Sequence, residues 1–139
     1  MNGYIFRMPR DTPELTWEGL DAYLKRGRNA YRRKIGATVT LRRWGDDWIS
    51  LLLYDTALAL LYPDGRVLFA EAGANDRHRA TGAWLDLIAR DNKLGAVSQR
   101  NWVRYLWGQG QGGPIAGQVF TRRRASAASD SADCAATGE

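Results

Sequence analysis

The sequence predicts an α+β fold, in which an antiparallel β-meander packs against one or two helices. Three observations favour it: apolar residues alternate from Lys34 onward, turn motifs separate the apolar runs, and the flanking segments carry apolar residues at helical spacing. The 139 residues, 45% of them hydrophobic, suffice for one core. We therefore predict an extended lead-in over residues 1–12, a single domain over 13–121, and a basic, then Ala- and Ser-rich tail over 122–139.

The first predicted helix spans residues 13–25. Thr12 suits its N-cap, Pro13 its first helical position, and Glu14 the positive end of its dipole. Apolar residues follow at helical spacing, so this helix is expected to flank the sheet.

The predicted meander runs from Lys34 to Ala70 and contains three or four strands. Residues 34–41 alternate between apolar and small or polar side chains, which is typical of a half-buried strand. Residues 48–54 are apolar at nearly every position, which predicts a central strand covered on both faces. Two further strands are expected on either side of the Pro63-Asp64-Gly65 turn, over residues 57–62 and 66–70.

The second half of the chain predicts a loop over 72–75, a short strand over 77–80 and a helix over 81–90 with Thr81 as its N-cap. A last long strand is expected over 102–107. A flexible glycine-rich segment (108–113) and a short strand (115–120) follow it. The tail after Arg124 lacks large apolar residues and is predicted to be disordered, because it cannot offset its ordering entropy.

Positive charge is the clearest functional feature of the sequence. The net charge is +5, and residues 22–43 contain eight basic side chains and no acidic one. A field of one sign favours an anionic partner such as nucleic acid. An ordinary solvated surface is the alternative, because 17 Arg against 3 Lys is also the codon signature of a GC-rich genome.

Arginine also alternates with aromatic residues, in Arg42-Arg43-Trp44 and again over residues 100–107. Guanidinium groups bind phosphates, while exposed rings stack on bases at ~1–3 kcal/mol each. On a strand, Arg100, Trp102 and Arg104 would share one face; alternatively, the tryptophans belong to the core. The predicted nucleic-acid-binding residues are Arg28, Arg32, Arg33, Lys34, Arg42, Arg43, Trp44, Arg100, Trp102 and Arg104.

A set of residues in the meander, together with the first residue of the helix that follows it, carries a resemblance. It comprises Lys34, Ile35, Thr38 or Thr40, Leu41, Arg42, Arg43, Ile49, Leu53, Thr56, Tyr62, Asp64, Gly65 and Thr81. In this pattern the chain resembles a family of small uncharacterised proteins from actinobacteria, their phages and plasmids. The chain departs from the family after Gly73, where such proteins often carry a Gly-Trp pair. The resemblance implies an accessory role in a mobile element and brings no established activity.

No catalytic constellation stands out in the sequence. A Gly-x-Gly-x-x-Gly spacing begins at Gly108, but Pro114 follows it, and no helix is predicted there to hold a pyrophosphate. Asp64 is explained by its turn, His78 is the only histidine, and Cys134 the only cysteine. One histidine and one cysteine do not complete a zinc shell. We therefore predict a protein that is not an enzyme and needs neither metal nor cofactor.

The sequence thus predicts a non-enzymatic accessory protein that binds DNA or RNA through a basic, Arg- and Trp-rich surface. The alternative is a protein–protein interaction module that docks on a host or phage protein. A single cysteine and the lack of signal-peptide features favour a cytoplasmic location. No membrane association is expected, because the longest near-apolar run, 49–62, is interrupted and too short to span a bilayer.

Overall fold

The computed structural model of the chain describes residues 8–76, 78–100, 103–108 and 111–121. Helices and antiparallel strands in these ranges confirm the predicted α+β class. The elements in chain order are α1 (Trp17–Lys25), β1 (Arg32–Ile35), β2 (Val39–Trp44), β3 (Trp48–Leu53), β4 (Thr56–Leu61), β5 (Arg66–Phe69), α2 (Glu71–Ala74), α3 (Arg79–Asp91), β6 (Ala96–Arg100), β7 (Val103–Gly108), β8 (Gln111–Pro114) and β9 (Val119–Thr121).

The strands form two antiparallel sheets. The larger sheet has the order β1-β2-β3-β4-β5-β9. Its first five strands form an antiparallel meander where three or four strands were predicted over residues 34–70. The smaller sheet has the order β6-β7-β8 and is joined to α3, where the backbone N–H of Val97 donates to Asp86 Oδ1 at 2.8 Å. The sequence analysis missed β6 and predicted a flexible segment where β8 forms.

The predicted single strand over residues 34–41 is instead a hairpin. β1 ends at Ile35 and β2 begins at Val39, and the Cα atoms of these two residues face each other across the hairpin. Gly36 adopts a φ of 64°, which is a left-handed conformation. Glycine adopts it without steric strain because it has no Cβ atom. This glycine allows the turn that the alternating pattern concealed.

The first helix begins four residues later than predicted. Its N-cap is Thr16, whose hydroxyl accepts a hydrogen bond from the backbone N–H of Gly19 at 3.1 Å. The hydroxyl of Thr12 donates to the carbonyl oxygen of Pro9 instead.

The second predicted helix begins earlier than expected. α3 starts at Arg79, so the predicted strand over 77–80 is wrong for residues 79 and 80, and Arg77 lies outside the described residues. His78 occupies the N-cap position, while Thr81 is fully buried inside the helix and donates its hydroxyl to Asp76 Oδ2 at 2.8 Å. The predicted loop over 72–75 is largely α2, and the tail over 122–139 lies outside the described residues.

A single core lies on one side of the larger sheet, which we call the inner face. It joins alternate residues of the strands to the apolar stripes of α1 and α3. The largest fully buried members are Leu15, Leu20, Leu24, Ile35, Leu41, Ile49, Leu51, Leu58, Leu61, Phe69, Trp84 and Leu85. Both long helices therefore pack on the same face of the sheet.

The opposite side of the larger sheet, which we call the outer face, contributes nothing to this core. Its side chains, identified from the strand register, include Arg32, Lys34, Thr40, Arg42, Trp44, Trp48, Ser50, Leu52, Leu60, Tyr62, Arg66, Leu68 and Val119. The prediction that residues 48–54 are covered on both faces is wrong, because Trp48 and Leu52 are only half-buried among the described residues.

The end of α3 fastens the segment that leads into α1. Asp91 Oδ2 accepts a hydrogen bond from the backbone N–H of Leu15 at 2.9 Å, and Asn92 Nδ2 donates to the carbonyl oxygen of Leu15 at 2.7 Å. Burial raises the pKa of Asp91 above its ordinary value, and the nearby charge of Glu14 adds to the shift, while the Leu15 hydrogen bond opposes it. The ionised form of Asp91 is therefore unfavourable in the folded protein.

We predict that Asp91→Asn raises the melting temperature at about pH 7 but not at about pH 3. The pKa of Asp91 is higher in the folded protein than in the unfolded chain. Protonated Asp91 therefore contributes its full stability below the unfolded-state pKa, and this stability is lost as the pH rises through the folded-state pKa. Asparagine can still accept the Leu15 hydrogen bond and carries no charge. Thermal unfolding across this pH range measures the difference, with Asp46→Asn in an exposed turn as the control for net charge. An equal shift at both pH values would contradict the prediction.

Candidate nucleic-acid interface

Three aromatic rings form a row across the outer face. Trp44 and Trp48 are opposite each other on β2 and β3, with ring centroids 6.1 Å apart. Tyr62, directly after β4, continues the row, with its ring centroid 6.0 Å from that of Trp48. We call these three residues the aromatic row.

The indole of Trp44 is held by the sheet itself. Its Nε1 donates to Ser50 Oγ on β3 at 3.0 Å, yet 46% of the residue remains exposed. The polar edge of the ring is thus satisfied within the protein. What the ring offers to a ligand is chiefly its π surface, which is suited to stacking.

Guanidinium groups lie at both ends of the aromatic row. The Arg42 guanidinium carbon is 5.1 Å from the Trp44 ring centroid, and that of Arg66 is 4.6 Å from the Tyr62 centroid. The Arg66 guanidinium also bonds Asp64 at 2.8 Å. The pKa of the Asp64 carboxyl is lowered first by the hydrogen bond from the Arg66 backbone N–H, and the charge of the guanidinium adds to this effect. The outer face therefore combines the exposed ring of Trp44 and the half-buried rings of Trp48 and Tyr62 with cations at short range.

Two further cations extend this surface across the β1–β2 hairpin. The Cα atom of Arg32 faces that of Arg42, and Lys34 faces Thr40 in the same way. Of the predicted binding residues, the structure brings Arg32, Lys34, Arg42 and Trp44 together on the outer face. Arg28 is exposed in the connection between α1 and β1.

Arg43 was predicted to bind nucleic acid from the same strand, but it points to the inner face. Its guanidinium pairs with Asp21 and lies 5.4 Å from the ring centroid of Trp17, and its Nε donates to the carbonyl oxygen of Ala30 at 3.1 Å. Partial burial alone would raise the pKa of Asp21, but the hydrogen bonds and charges of Arg43 and Lys25 lower it overall. Arg43 therefore joins α1 to the sheet.

Arg33 also lies on the inner side. Its guanidinium carbon is 3.8 Å from the ring centroid of Tyr23, and its Nη1 donates to the Tyr23 carbonyl oxygen at 2.6 Å. The period of two in a strand explains both corrections, because consecutive residues such as Arg32 and Arg33 must point to opposite faces.

The predicted arginine face of the last long strand is wrong for Arg104. Arg104 is 4% exposed, and it donates to the carbonyl oxygens of Gly73, Asp76 and His78. Burial lowers its pKa, and the charge of Asp76 works against that shift. Arg104 thus holds together the connection between α2 and α3 and is closed to an external phosphate.

The exposed side of β7 carries its aromatic residues instead. Tyr105 and Trp107 stack with ring centroids 5.8 Å apart, and Trp107 Nε1 donates to Ser98 Oγ at 2.6 Å. Arg100 faces Val103 across the β6–β7 pair, so it lies on this aromatic side and not on the side of Arg104. The predicted residue Trp102 lies outside the described residues.

Sequence analysis missed three members of the outer face: Trp48, Tyr62 and Arg66. The residues Gly45-Asp46-Asp47 are typical of a tight turn, and pairing outward from that turn would have placed Trp48 opposite Trp44. The Pro63-Asp64-Gly65 turn likewise implies that Tyr62 and Arg66 are neighbours; the Tyr62 N–H donates to the Arg66 carbonyl at 3.0 Å.

A cleft with a volume of about 770 Å³ lies beside the start of α3. Asp76 in its wall accepts from the His78 backbone and the Thr81 hydroxyl; these contacts outweigh the effect of burial and lower its pKa. The His78 side chain is 85% exposed, and its Nε2 is 3.9 Å from Asp76 Oδ1. Asp76 therefore stabilises the turn that leads into α3. The hydroxyl of Thr81 already donates its proton to Asp76, so we assign no catalytic role to this cleft.

Known proteins offer no further guidance on the site: no protein-family model, characterised protein or solved structure matches the chain. Among the described residues, no three or more His, Cys, Asp or Glu side chains gather as they would around a metal ion. No helix in the same ranges has the length and apolar character needed to cross a bilayer.

We predict that Arg104→Met lowers the free energy of unfolding by about 2–4 kcal/mol, because three carbonyl oxygens lose their hydrogen bonds to a buried guanidinium. Arg104→Lys should rescue little of this, since one ammonium lacks the planar fork that reaches all three. Denaturant unfolding measures the effect, with Arg100→Met as the exposed control. Wild-type stability in Arg104→Met would contradict this structural role.

Proposed function

We propose that this protein is a non-enzymatic accessory protein that binds single-stranded nucleic acid on the outer face of its larger sheet. The observation that carries the proposal is the aromatic row on a face that the core leaves uncovered, with Arg42 and Arg66 at its two ends. Rings and guanidiniums in this combination are typical of surfaces that bind single strands.

Each part of the surface has a role in the proposed complex. Unpaired bases stack on the rings of the aromatic row, and the guanidiniums beside them bind phosphates. A duplex shields the faces of its bases, so single strands are the expected ligands. Both DNA and RNA are expected to bind, because they share the groups involved.

The proposed biological setting is an accessory role in a phage or another mobile element, in the cytoplasm. Its support is the sequence resemblance of the meander and the single cysteine. The net charge of +5 adds attraction to polyanions at long range, which speeds encounter and weakens as salt is added.

A second candidate, a protein-docking module, is favoured by the other half of the outer face. Leu60, Leu68 and Val119 lie side by side across β4, β5 and β9, and Val119 is 52% exposed. An apolar patch of this kind suits a partner protein.

Val119→Lys separates the two candidates, because it adds a charge at the apolar end, away from the aromatic row. A docking module should then lose the partners that it retains from nuclease-treated lysate. A nucleic-acid-binding protein should keep or slightly increase its affinity for an oligonucleotide. Fluorescence anisotropy and pull-down measure the two outcomes, and loss of oligonucleotide binding would count against our first candidate.

We predict that Trp44→Ala weakens binding of a single-stranded oligonucleotide by roughly 5- to 100-fold, the equivalent of one lost stacking contact of ~1–3 kcal/mol. Trp44→Phe keeps a ring and should retain most of the affinity, although it loses the hydrogen bond to Ser50. Anisotropy titration at fixed low salt measures both.

The matched control is Trp107→Ala. Trp107 is also 46% exposed and also bonds a serine hydroxyl, but it lies on the smaller sheet. Equal losses from Trp44→Ala and Trp107→Ala would remove the outer face as the specific site. Failure of the wild-type protein to bind any single strand at low salt would end the proposal.

A further inference from the structure

We propose that the small cavity beside the aromatic row is a phosphate-binding subsite for the backbone of the bound strand, an inference that rests on the proposed function. The cavity has a volume of about 250 Å³. Its lining residues are Arg32, Thr40, Arg42, Leu52, Tyr54 and Asp55.

The two arginines of this cavity are an unfavourable pair in the free protein. Arg32 and Arg42 are opposite each other on neighbouring strands, and both are exposed on the outer face. Like charges in this arrangement repel each other. Within the described part of the chain neither has a carboxylate partner, whereas Arg43, Arg66 and Arg90 each do. An anion between Arg32 and Arg42 would relieve the repulsion.

The donors around the cavity fit a phosphate group. Each guanidinium can bind two phosphate oxygens through parallel N–H groups, and the Thr40 hydroxyl supplies a further donor. Lys34, opposite Thr40, adds a third positive charge on the same face. A phosphate held here lies next to the aromatic row, because Arg42 contacts both the cavity and the Trp44 ring.

Tyr54 forms one wall in an unusual backbone conformation. Its φ is 55°, a left-handed value that is costly for a residue with a Cβ atom, and it is 71% exposed. Its N–H donates to the Thr38 carbonyl oxygen at 2.7 Å, which holds the turn in place. Tyr54 lies in the turn between β3 and β4 and lines the same cavity as the two arginines, so its phenol ring is available to a sugar or base beside the phosphate.

Asp55 is the one negative charge that lines the cavity. It forms no ion pair with Arg32 or Arg42, so it repels a bound phosphate without neutralising either arginine. This residue provides a test of opposite sign: removing it should strengthen phosphate binding, while removing either arginine should weaken it.

The experiment compares two oligothymidylates of roughly twelve nucleotides, one with ordinary phosphates and one with an uncharged methylphosphonate backbone. Arg32→Gln and Arg42→Gln should each weaken binding of the ordinary strand by about three- to tenfold and reduce its salt slope by about 0.7. Both variants should bind the uncharged strand as the wild-type protein does. Asp55→Asn should tighten binding of the ordinary strand alone. Arg10→Gln, an exposed arginine in the segment that precedes α1, is the control for net charge.

The outcomes separate the subsite from the proposed function. The melting temperature of Arg32→Gln should equal or exceed that of the wild-type protein, because the change removes the like-charge pair and leaves the contact between Arg42 and Trp44 in place; a lowered one would contradict the repulsion. If the wild-type protein binds the ordinary strand but Arg32→Gln and Arg42→Gln weaken it no more than Arg10→Gln does, the subsite is wrong and the proposed function stands. If it binds neither strand, both fail. Competition by inorganic phosphate that Arg42→Gln abolishes would support the subsite from a second probe.

Discussion

One-sided burial is the constraint on which the rest of the structure depends. The sheet alternates its side chains between two faces, and both long helices bury their apolar stripes against the same one. The outer face is then left to side chains that the core does not need. Its aromatic and basic composition is the feature of the chain that stability alone does not explain.

Strand register decides which arginines are available to a ligand. Arg42 and Arg43 are adjacent in sequence, yet one lies over the Trp44 ring and the other binds Asp21 beneath the sheet. A basic run therefore divides into two sets with different roles. Arg33 and Arg43 bind α1 and the segment next to it. Arg32 and Arg42 form no ion pair with a carboxylate in the described part of the chain. The basic run therefore contains more positive charges than the outer face exposes, because Arg33 and Arg43 lie on the inner side.

The meander was predictable because its information is local. Alternation and the Pro63-Asp64-Gly65 turn specify strands and their neighbours without reference to distant residues. The hairpin at Gly36 was missed because apolar and polar residues go on alternating through the turn. The alternation alone does not reveal that Gly36 adopts a left-handed φ. The start of α1 was misplaced because both Thr12 and Thr16 suit an N-cap, and the choice of Thr16 depends on tertiary contacts such as the one between Leu15 and Asp91.

The candidate site was only partly predictable, and the reason is burial. Arg104 has the same local pattern as an exposed strand arginine. Its three carbonyl partners come from the α2–α3 connection, far away in sequence, and no period along β7 reveals them. Trp48 and Tyr62 can be placed on the outer face from the sequence only if each of the two turns is combined with the pairing of the strands beside it. Residues that a fold brings together from several strands are harder to find than the strands themselves.

Trp44 and Trp107, the exposed tryptophans among the described residues, bear on the kind of recognition that the proposed function would use. Trp44 and Trp107 each direct the indole N–H to a serine on a neighbouring strand, which leaves the ring face outward. An indole whose only donor is satisfied internally contributes little hydrogen-bonded discrimination between bases, while every base has a face on which to stack. Affinity from stacking and phosphate contacts is tolerant of sequence. Under the proposed function, such a protein would bind any accessible single strand and would show little preference for a particular base sequence.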